Sequence, residues 1–522
     1  MKTRKIEINE DFKKALDLLE HTRRNVFVTG RAGTGKSTLL DYFRQSTSKN
    51  VVVLAPTGVA AVNIAGQTIH SFFRFKPDIT LQKVRPMKTE KARKLYREIE
   101  IIIIDEISMV RPDLLDCVDK FLRLNGKNKD VPFGGIQMAF FGDLYQLPPV
   151  VTYRERGVFA SEYKGNYFFD AKVFSLGGFE MEFMELNKIY RQTEELFIGL
   201  LNSIRNNTVT EEQIQRLNSR LQKGARATGG ENSVYLTTTN KLAADINEER
   251  LSRIKSRFYS YRGRIEGEFS KEYFPAELEL KIKPGAQVMF LNNDRTGRWI
   301  NGTIGRVEKI REKDGEGAVI EVRLPEGEVE EVHPNIWEVF HFSYNEKSAC
   351  IESDIVGRFI QYPLKLAWAV TIHKSQGKTF DNVILDISGG VFACGQIYVA
   401  LSRCRTFEGI TLTRPIEKKH IFVDRKIMNF LTNFQYGIAE KKLPFEEKLG
   451  RIKDAISKKQ SLSITYLKAS DEKSRRVIRP LRVGKMVYQG KEFIGVEAHC
   501  FERDATRVFR VDRILEMGEV EK

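Results

Sequence analysis

The chain has 522 residues, too many for a single hydrophobic core, and we therefore expect about three or four domains. Hydrophobic residues make up 41% of the chain and charged residues 30%, a balance that excludes an intrinsically disordered protein. The formal net charge of +16 predicts a polyanionic partner, and the alternative is a surface that is basic without such a partner.

The sequence lacks the marks of membrane insertion and of secretion. No apolar run reaches about 18 residues, so we predict no membrane contact. The first residues, MKTRKIEINEDFKK, are charged and contain no apolar signal core. The cysteines are scattered without a C-x-x-C pair, which predicts neither a zinc site nor a disulfide framework and fits a reducing cytoplasm. They are Cys117, Cys350, Cys394, Cys404 and Cys500.

The first predicted strand runs into a glycine-rich loop. Residues 26–40 read VFVTGRAGTGKSTLL, the G-x-x-x-x-G-K-[ST] pattern between a strand and a helix. Glycines let several backbone N–H groups point at one centre, where a helix N-terminus also favours phosphate oxygens. Lys36 is expected to contact the β- and γ-phosphates of ATP, and the Ser37 hydroxyl to ligate Mg²⁺. The alternative is a glycine-rich surface turn. The predicted nucleotide contacts in this loop are Gly30, Ala32, Gly33, Thr34, Gly35, Lys36, Ser37 and Thr38.

Two acids follow a later β-branched run. Residues 100–106 read EIIIIDE, which predicts a strand buried on both faces of a parallel sheet. Ligands of such sheets bind at the carboxyl ends of the strands, where these acids fall. Asp105 is expected to hold Mg²⁺ through its water shell, and Glu106 to orient and deprotonate the attacking water. The alternative, a solvated acidic strand end, fits the preceding isoleucines poorly.

The rest of the pattern predicts an α/β protein with an insertion and a C-terminal addition. The segments VVVLAPTG, QMAFFGDLYQLPPV and SVYLTTTN are further predicted strands of the α/β pattern. A glycine-rich stretch of alternating segments predicts a small antiparallel barrel inserted in the second α/β domain. The predicted division is 1–187 (first domain, with an inserted arm at about 74–99), 188–254 with 363–435 (second domain), 255–362 (inserted barrel), 436–449 (linker) and 450–522 (C-terminal domain).

Further motifs follow the glycine-rich loop in a fixed order. They are APTGVAA (55–61), GQTIHSFF (66–73), IDEISM (104–109), GDLYQLPPV (142–150), LNKIYRQ (186–192), WAVTIHKSQG (368–377) and YVALSR (398–403). Over residues 22–430 the chain resembles superfamily-one helicases of the Pif type (petite integration frequency), which are RecD-like. The resemblance implies two RecA-like P-loop NTPase domains with ATP in the cleft between them, and an inserted SH3-like β-barrel.

The resemblance also assigns the groups that act on ATP. Transfer of the γ-phosphoryl group needs positive charge at its equatorial oxygens. Arg403 is the first choice for this role and Arg191 the second. Both belong to the second lobe, so they reach ATP only when the lobes close. The alternative for each is a helix-surface arginine in an exposed ion pair. Gln146 resembles the family's γ-phosphate sensor, and Gly377 is expected to contact the nucleotide.

Adenine recognition is where the sequence departs from the family. Tyr190 is expected to stack on adenine, with a core tyrosine as the alternative. Relatives often carry a glutamine near the N-terminus that reads the adenine edge. The corresponding stretch, Ile8 to Phe12, has no glutamine, and Asn9 is the residue that could substitute.

DNA contacts are expected from loops on the face away from ATP. Hydroxyls, backbone amides and a lysine grip phosphates without reading sequence, and aromatic rings such as Phe72 stack bases. His373 is expected to contact a phosphate or a base, with a core histidine as the alternative. The Asn-Gly of Trp299–Gly302 suits a tight hairpin turn, and we favour that structural reading. The predicted DNA contacts are Thr57, Gly58, His70, Ser71, Phe72, Thr238, Asn240, His373, Lys374 and Ser375.

Residues 450–522 lie outside the helicase resemblance. The segments LSITY (462–466), RVIRP (476–480), FIGVEAHC (493–500) and FRVDRI (509–514) resemble a WYL-type domain, a small Sm/SH3-like β-barrel of bacterial regulators. In that case Arg479, Arg503, Arg510 and Arg513 line a nucleic-acid or ligand groove. The alternative is a basic barrel that only packs against the helicase lobes.

Together these features predict an ATP-dependent DNA helicase that moves 5′ to 3′, with ATP and Mg²⁺ as cofactors. The alternatives are a DNA-stimulated ATPase that scarcely unwinds and an ATP-controlled clamp on single strands. The expected partners are single-stranded DNA and single/double-strand junctions, with G-quadruplexes and RNA–DNA hybrids left open. We expect a monomer in a bacterial cytoplasm, in a family linked to DNA repair, replication and telomere maintenance.

Overall fold

The computed structural model describes residues 8–151, 156–175, 179–192, 194–222, 232–294, 296–313 and 317–519. The chain divides into two units. The first consists of Met1–Asn202 with Thr210–Ile421, and the second of Ser203–Val209 with Phe422–Lys522. In the described part of the chain, no helix combines the length and apolarity needed to cross a membrane.

A parallel sheet forms the centre of the first α/β domain. Its strand order is β3-β2-β4-β5-β1-β6, and the Val- and Ile-rich strands β1 and β4 lie inside it. The elements are α1 (Glu10–His21), β1 (Asn25–Gly30), α2 (Lys36–Ser46), β2 (Val51–Ala55), α3 (Gly58–Asn63), β3 (Gln67–Thr68), α4 (Ile69–Phe72), α5 (Glu90–Glu98), β4 (Ile101–Ile104), α6 (Pro112–Asn125), β5 (Gln137–Phe141), α7 (Arg156–Glu162) and β6 (Met181–Leu186). The order brings the carboxyl ends of β1, β4 and β5 to one edge, and the predicted strands of this domain are confirmed.

The stretch predicted as an inserted arm ends in a packed helix. Helix α5 occupies its last part, capped by the Thr89 hydroxyl, which accepts from the Ala92 N–H. Tyr96 of α5 is 2% exposed, and its hydroxyl donates to the Phe72 carbonyl over 2.9 Å. The polar residues around it therefore form one face of an amphipathic helix.

A second parallel sheet, β18-β7-β19-β20, forms the other α/β domain. An antiparallel insertion separates β7 and α10 from β18. The elements are α8 (Glu195–Arg205), α9 (Glu211–Asn218), β7 (Val234–Thr237), α10 (Asn240–Ser252), β8 (Tyr259–Arg262), β9 (Arg264–Gly267), β10 (Glu279–Ile282), β11 (Gln287–Phe290), β12 (Ile304–Lys313), β13 (Gly317–Arg323), β14 (Val329–Val332), β15 (Asn335–Asn345), β16 (Cys350–Gln361), β17 (Leu364–Leu366), β18 (Ala369–Thr371), β19 (Val383–Asp386), α11 (Gln396–Leu401) and β20 (Ile410–Leu412).

The insertion is antiparallel as predicted, but its strands form separate sheets. They have the orders β14-β13-β12-β11-β17, β10-β8 and β15-β16-β9. Among the described residues we find no closed barrel, so the predicted SH3-like closure is not seen here. Strand β17 pairs with β11 of the insertion, so the α/β pattern resumes at β18.

The second unit combines two helices with a five-stranded antiparallel sheet of order β24-β23-β22-β21-β25. The elements are α12 (Arg425–Lys442), α13 (Phe445–Ser457), β21 (Leu462–Leu467), β22 (Lys473–Tyr488), β23 (Lys491–Cys500), β24 (Ala505–Arg510) and β25 (Ile514–Glu519). Residues 436–449, predicted as a linker, thus lie mostly in α12 and α13, because the stretch is rich in helix formers and Pro444 precedes α13.

A buried polar cluster joins distant segments of the second unit. Arg205 is 3% exposed, and its guanidinium lies 4.0 Å from the Asp471 carboxylate in the turn between β21 and β22. Gln435 of α12 donates to the same carboxylate over 3.0 Å. The short segment of residues 203–209 is therefore part of this unit's interior.

Candidate functional site

The glycine-rich loop between β1 and α2 has the backbone conformation that phosphate binding needs. Gly33 and Gly35 adopt φ values of +83° and +87°, which L-residues rarely adopt. The Lys36 ammonium donates to the carbonyls of Gly30 (2.7 Å) and Arg31 (3.2 Å), so it lies across the loop. Ser37 and Thr38 are exposed at the start of α2, where an anion would meet the helix N-terminus.

The acid pair lies at the carboxyl end of β4. Asp105 is 8% exposed, and its N–H donates to the Leu54 carbonyl over 2.9 Å. Burial raises the pKa of Asp105, an effect opposed by the nearby Lys36 ammonium. Glu106 adopts a left-handed conformation (φ 49°) that turns the chain out of the strand. Burial and the Asp105 carboxylate raise the pKa of Glu106 to about 7, a value suited to a general base near neutral pH.

Gln146 and Gln376 connect Glu106 to the second lobe. The side-chain amide of Gln376 donates to the Gln146 side-chain oxygen over 2.9 Å and to the Glu106 carboxylate over 3.4 Å. Gln146 in turn donates to the Asp143 carboxylate over 3.3 Å. The predicted sensor thus contacts the predicted base through Gln376. The sequence reading passed over Gln376, although it lies within the WAVTIHKSQG motif that could have identified it.

Arg191 lies against the nucleotide loop, and Arg403 lies near Arg191 and the Glu106 carboxylate. A Cβ built on Gly33 would be 2.5 Å from the Arg191 Cβ, and the Arg191 guanidinium donates to the carbonyls of Ser402 (3.2 Å) and Gly377 (3.3 Å). Arg403 is 1% exposed and donates through Nε to the Val399 carbonyl over 2.9 Å. The alternative of exposed ion-pairing arginines does not fit Arg403.

The two guanidinium groups also influence each other. Burial lowers the pKa of Arg403 to about 9, and the positive charge of Arg191 acts in the same direction. The Glu106 carboxylate acts in the opposite direction. Two like charges held together beside a phosphate loop would be stabilised by a polyphosphate between them.

Tyr190 and Tyr398 both form hydrogen bonds with the loop, at Gly33 and at Ala32. Tyr190 is 43% exposed, which excludes the core alternative, and its hydroxyl accepts from the Asn9 side-chain amide over 3.2 Å. Asn9 therefore lies beside the predicted adenine platform, while its own oxygen caps α1. Tyr398, which the sequence reading missed, accepts from the Ala32 N–H over 3.1 Å and donates to the Asp143 carboxylate over 3.3 Å.

Several predicted DNA contacts lie in accessible loops. Thr57 and Asn240 are exposed at the beginnings of α3 and α10, and Lys374 is exposed next to His373. His373 is itself exposed, against the core alternative, and its ring lies 6.3 Å from that of Phe392, nearly parallel at 14°. Phe392 is 61% exposed. It lies in none of the sequence motifs, so the sequence did not predict this exposed aromatic side chain.

Other predicted DNA contacts are enclosed. Phe72 is 4% exposed and packs edge-on against Phe73, Tyr96 and Phe342, so its ring is not available to a base in this arrangement. The Ser375 hydroxyl is buried and donates to the Ile372 carbonyl over 2.7 Å.

The remaining predicted contacts differ in accessibility. Thr238 is 3% exposed, and its hydroxyl has no hydrogen-bond partner among the described residues. Gly58 is buried at the start of α3, whereas His70 and Ser71 of α4 are partly exposed.

Comparison with known proteins identifies the family of the chain. The family model for PIF1-like helicases matches residues 7–215, and that for the WYL domain matches residues 447–518. An ATP-dependent DNA helicase Pif1 from Bdellovibrio bacteriovorus is 33% identical over 446 residues, which cover 83% of this chain and 94% of that protein.

Solved structures of Bacteroides Pif1 show the same likeness. The crystal structure of Bacteroides sp Pif1 in complex with ADP-AlF4 has a TM-score of 0.75 and 38% identity, covering 82% of this chain and 97% of that one. The Bacteroides helicase in complex with ADP-AlF3 and ssDNA has a TM-score of 0.58 at 38% identity, covering 82% and 98%. The likeness extends over the RecA-like α/β core described above.

Proposed function

Because the chain belongs to the PIF1-like helicase family, we propose that it is an ATP-dependent DNA helicase that translocates 5′ to 3′ on single-stranded DNA and unwinds duplex or structured DNA. The observation that carries the proposal is the meeting of second-lobe residues with the phosphate loop of the first lobe. Arg191, Arg403 and Gln376 reach Gly33 and Glu106 across this boundary.

The geometry gives each residue a task in ATP hydrolysis. The loop N–H groups and Lys36 bind the phosphates, while Glu106 accepts the proton of the attacking water. Arg191 and Arg403 bring positive charge to the γ-phosphoryl group. Loss of that group removes the anion between the two guanidiniums. Opening of the cleft is therefore tied to turnover, which is the physical basis of stepping along a strand.

Magnesium fits the donor set at this site. The exposed Ser37 hydroxyl and the Asp105 carboxylate are hard oxygen donors beside the phosphate loop, as Mg²⁺ requires. Bound there, Mg²⁺ would neutralise phosphate charge. It would also favour the ionised form of the buried Asp105 carboxylate, in the same direction as the Lys36 ammonium.

The strand is proposed to lie along the loops that carry Thr57, His70, Asn240, His373 and Lys374. Single/double-strand junctions are the expected substrates, and G-quadruplexes and RNA–DNA hybrids are further candidates. The Bacteroides relative in complex with ADP-AlF3 and ssDNA supports this assignment by its likeness to the chain. We expect the enzyme to act as a monomer in a bacterial cytoplasm.

The finer domain organisation is part of the proposal. The two parallel-sheet domains are the RecA-like lobes, the antiparallel strands β8–β17 form an SH3-like insertion, and the C-terminal region that includes residues 447–518 is a WYL-type domain that binds nucleic acid as an accessory module. The basic residues Arg479 and Arg503 are exposed on this last domain, which supports binding over a packing role alone.

Strand displacement tests the proposal. Duplexes with a 5′ tail should be unwound in the presence of ATP and Mg²⁺, while 3′-tailed duplexes of the same sequence should not. Lys36→Ala is the matched control, because it removes the ammonium expected on the β- and γ-phosphates and should abolish unwinding. DNA-stimulated phosphate release without strand separation would instead establish a translocating ATPase. Strand binding without turnover would establish a clamp.

A further inference from the structure

Three lysines converge where the insertion meets the second lobe. Lys365 lies on β17, whose Cα pairs with that of Met289 on β11. Lys374 belongs to the 3-10 turn His373–Ser375, and Lys378 follows that turn. The charges of Lys374 and Lys378 both act on the Lys365 ammonium, so the three groups share one small region.

Lys365 is an unpaired cation in this region. Within the described residues its ammonium has neither a hydrogen-bond partner nor a salt bridge. The Glu277 carboxylate opposes these charges, and its effect is weaker than that of either lysine. Burial and these two like charges lower the pKa of Lys365 to about 7. A partly buried cation that lies beside two like charges and has no counterion among the described residues is costly to keep, which points to an anion that binds there.

Lys378 is held in place from both sides. Its ammonium donates to the side-chain oxygen of Asn301 in the Trp299–Gly302 hairpin. A Cβ built on Gly302 would lie 3.2 Å from the Lys378 Cβ, so this glycine lets the hairpin approach. The Lys378 carbonyl accepts from Arg403 over 3.4 Å. The position of this lysine is therefore fixed by the insertion and by the nucleotide site together.

We propose that Lys365, Lys374 and Lys378 form a subsite for a backbone phosphate of the bound single strand. This inference rests on the proposed function. A phosphodiester fits better than a free phosphate ion because Lys374 and the neighbouring His373 open onto the face assigned to the strand. The role of the Trp299–Gly302 hairpin follows as well, since it presents the Asn301 oxygen that orients Lys378.

The subsite predicts a dependence of DNA affinity on pH. The phosphate binds the protonated ammonium and raises its pKa, so binding takes up a proton at pH values above the pKa of about 7 in the DNA-free protein. Affinity is therefore greatest below that pH and falls as the pH rises from 6.5 to 8.5. Lys378, whose burial lowers its pKa to about 8, adds to the same trend, while the charge of the Glu277 carboxylate acts to raise the pKa of Lys365.

The experiment measures oligothymidylate affinity by fluorescence anisotropy across salt concentration and pH. Lys365→Gln should lower the slope of log K against log salt by about 0.7 and weaken binding roughly fourfold near 0.15 M salt. Lys365→Arg should keep the slope and lose most of the pH dependence, because arginine stays charged. Lys309→Gln, at an exposed position on β12, is the matched control and should change neither quantity.

The outcomes separate this inference from the proposed function. If the unmodified protein does not bind oligothymidylate, the proposed function fails. If it binds but Lys365→Gln and Lys309→Gln behave alike, the subsite is overturned while the helicase proposal stands. If inorganic phosphate at millimolar concentration causes the same proton uptake as the oligonucleotide, the assignment of the subsite to the strand is also overturned. A thermal melt unchanged in Lys365→Gln shows that the variant is folded.

Discussion

Glu106 combines two properties at one residue. Its left-handed backbone turns the carboxylate out of the strand, and its raised pKa keeps that carboxylate basic. The Gln376 amide donates to it over 3.4 Å, so a residue of the second α/β domain also orients this carboxylate. Orientation and basicity are both needed for proton abstraction from water.

Glu106→Gln should keep ATP binding and reduce turnover by about 10²- to 10⁴-fold, since an amide cannot accept the proton. In the unmodified protein, kcat/KM for ATP at saturating DNA should fall as the pH drops below about 7, because only the ionised carboxylate acts as a base. Phosphate release between about pH 5.5 and 8.5, the range in which a group of this pKa titrates, measures both effects. A profile that stays flat through this range would contradict the role of Glu106.

At this scale the sequence predicted residues inside motifs and missed those that depend on long-range contacts. Lys36, Asp105 and Glu106 follow directly from spacing and burial. Tyr398 was missed because its hydroxyl forms its hydrogen bonds with Ala32 and Asp143 of the first α/β domain. Such long-range contacts leave no local pattern in the sequence. Phe72 was assigned to base stacking, but exposure is a property of the tertiary structure, and its ring lies in an aromatic cluster.

Among the elements, the β15–β16 hairpin makes contacts far from its own lobe. The Phe342 N–H donates to the Gln67 side-chain oxygen over 3.2 Å, and its ring lies 6.0 Å from that of Phe72. Lys94 of α5 pairs with Glu346 over 2.8 Å. The hairpin therefore packs against Phe72 of α4, the helix that also carries His70 and Ser71. We expect it to hinder a strand that binds at this helix.

Phe342→Ala should loosen the hairpin and speed the association of single-stranded DNA several-fold, since a buried aromatic contact is worth about 1 kcal/mol or more. Stopped-flow fluorescence with a labelled oligonucleotide measures the rate. Ile355→Ala is the matched control, because that side chain is 44% exposed on the same hairpin. Equal rates for the two variants would show that the hairpin does not obstruct the strand.

Elements with strong local patterns were the predictable ones. The isoleucine run of β4 could only be a buried strand, and the alternation in the insertion gave antiparallel pairing. Closure of a barrel depends on which edge strands pair. β17 pairs with β11, which lies far from it in the sequence, and no local pattern predicts such a pairing. The end of α12 and the start of α13, residues 436–449, were predicted as a linker because charged residues interrupt the apolar pattern there, although Ala439 and Leu443 are buried.

For the whole molecule, the boundary of the second unit changes how its role is tested. The longer segment of this unit begins at Phe422. A deletion from residue 450 would therefore cut through α13 and expose the hydrophobic core of the unit, which includes Leu443. Substitutions at exposed positions leave that core intact. Family membership was predictable at this scale because ordered motifs survive divergence, whereas the unit's discontinuous make-up was not.

Arg479→Gln with Arg503→Gln should reduce the salt dependence of single-strand binding by a slope of about 1.4, since two phosphate contacts are lost. Lys453→Gln with Lys459→Gln removes the same charge from exposed positions on and after α13 and should have little effect. Equal slopes in the two double variants would favour a domain that only packs.

The Arg205 cluster has a consequence for biosynthesis. The Asn206 amide meets the Asp471 carbonyl over 3.5 Å across 265 positions of chain, and the Arg205 cation beside it depends on the same turn. A nascent polypeptide therefore exits the ribosome with this cation still hydrated, and its burial waits until the turn at Asp471 has been translated. A chain that stops before this turn lacks the carboxylate that lies 4.0 Å from the Arg205 guanidinium in the finished protein.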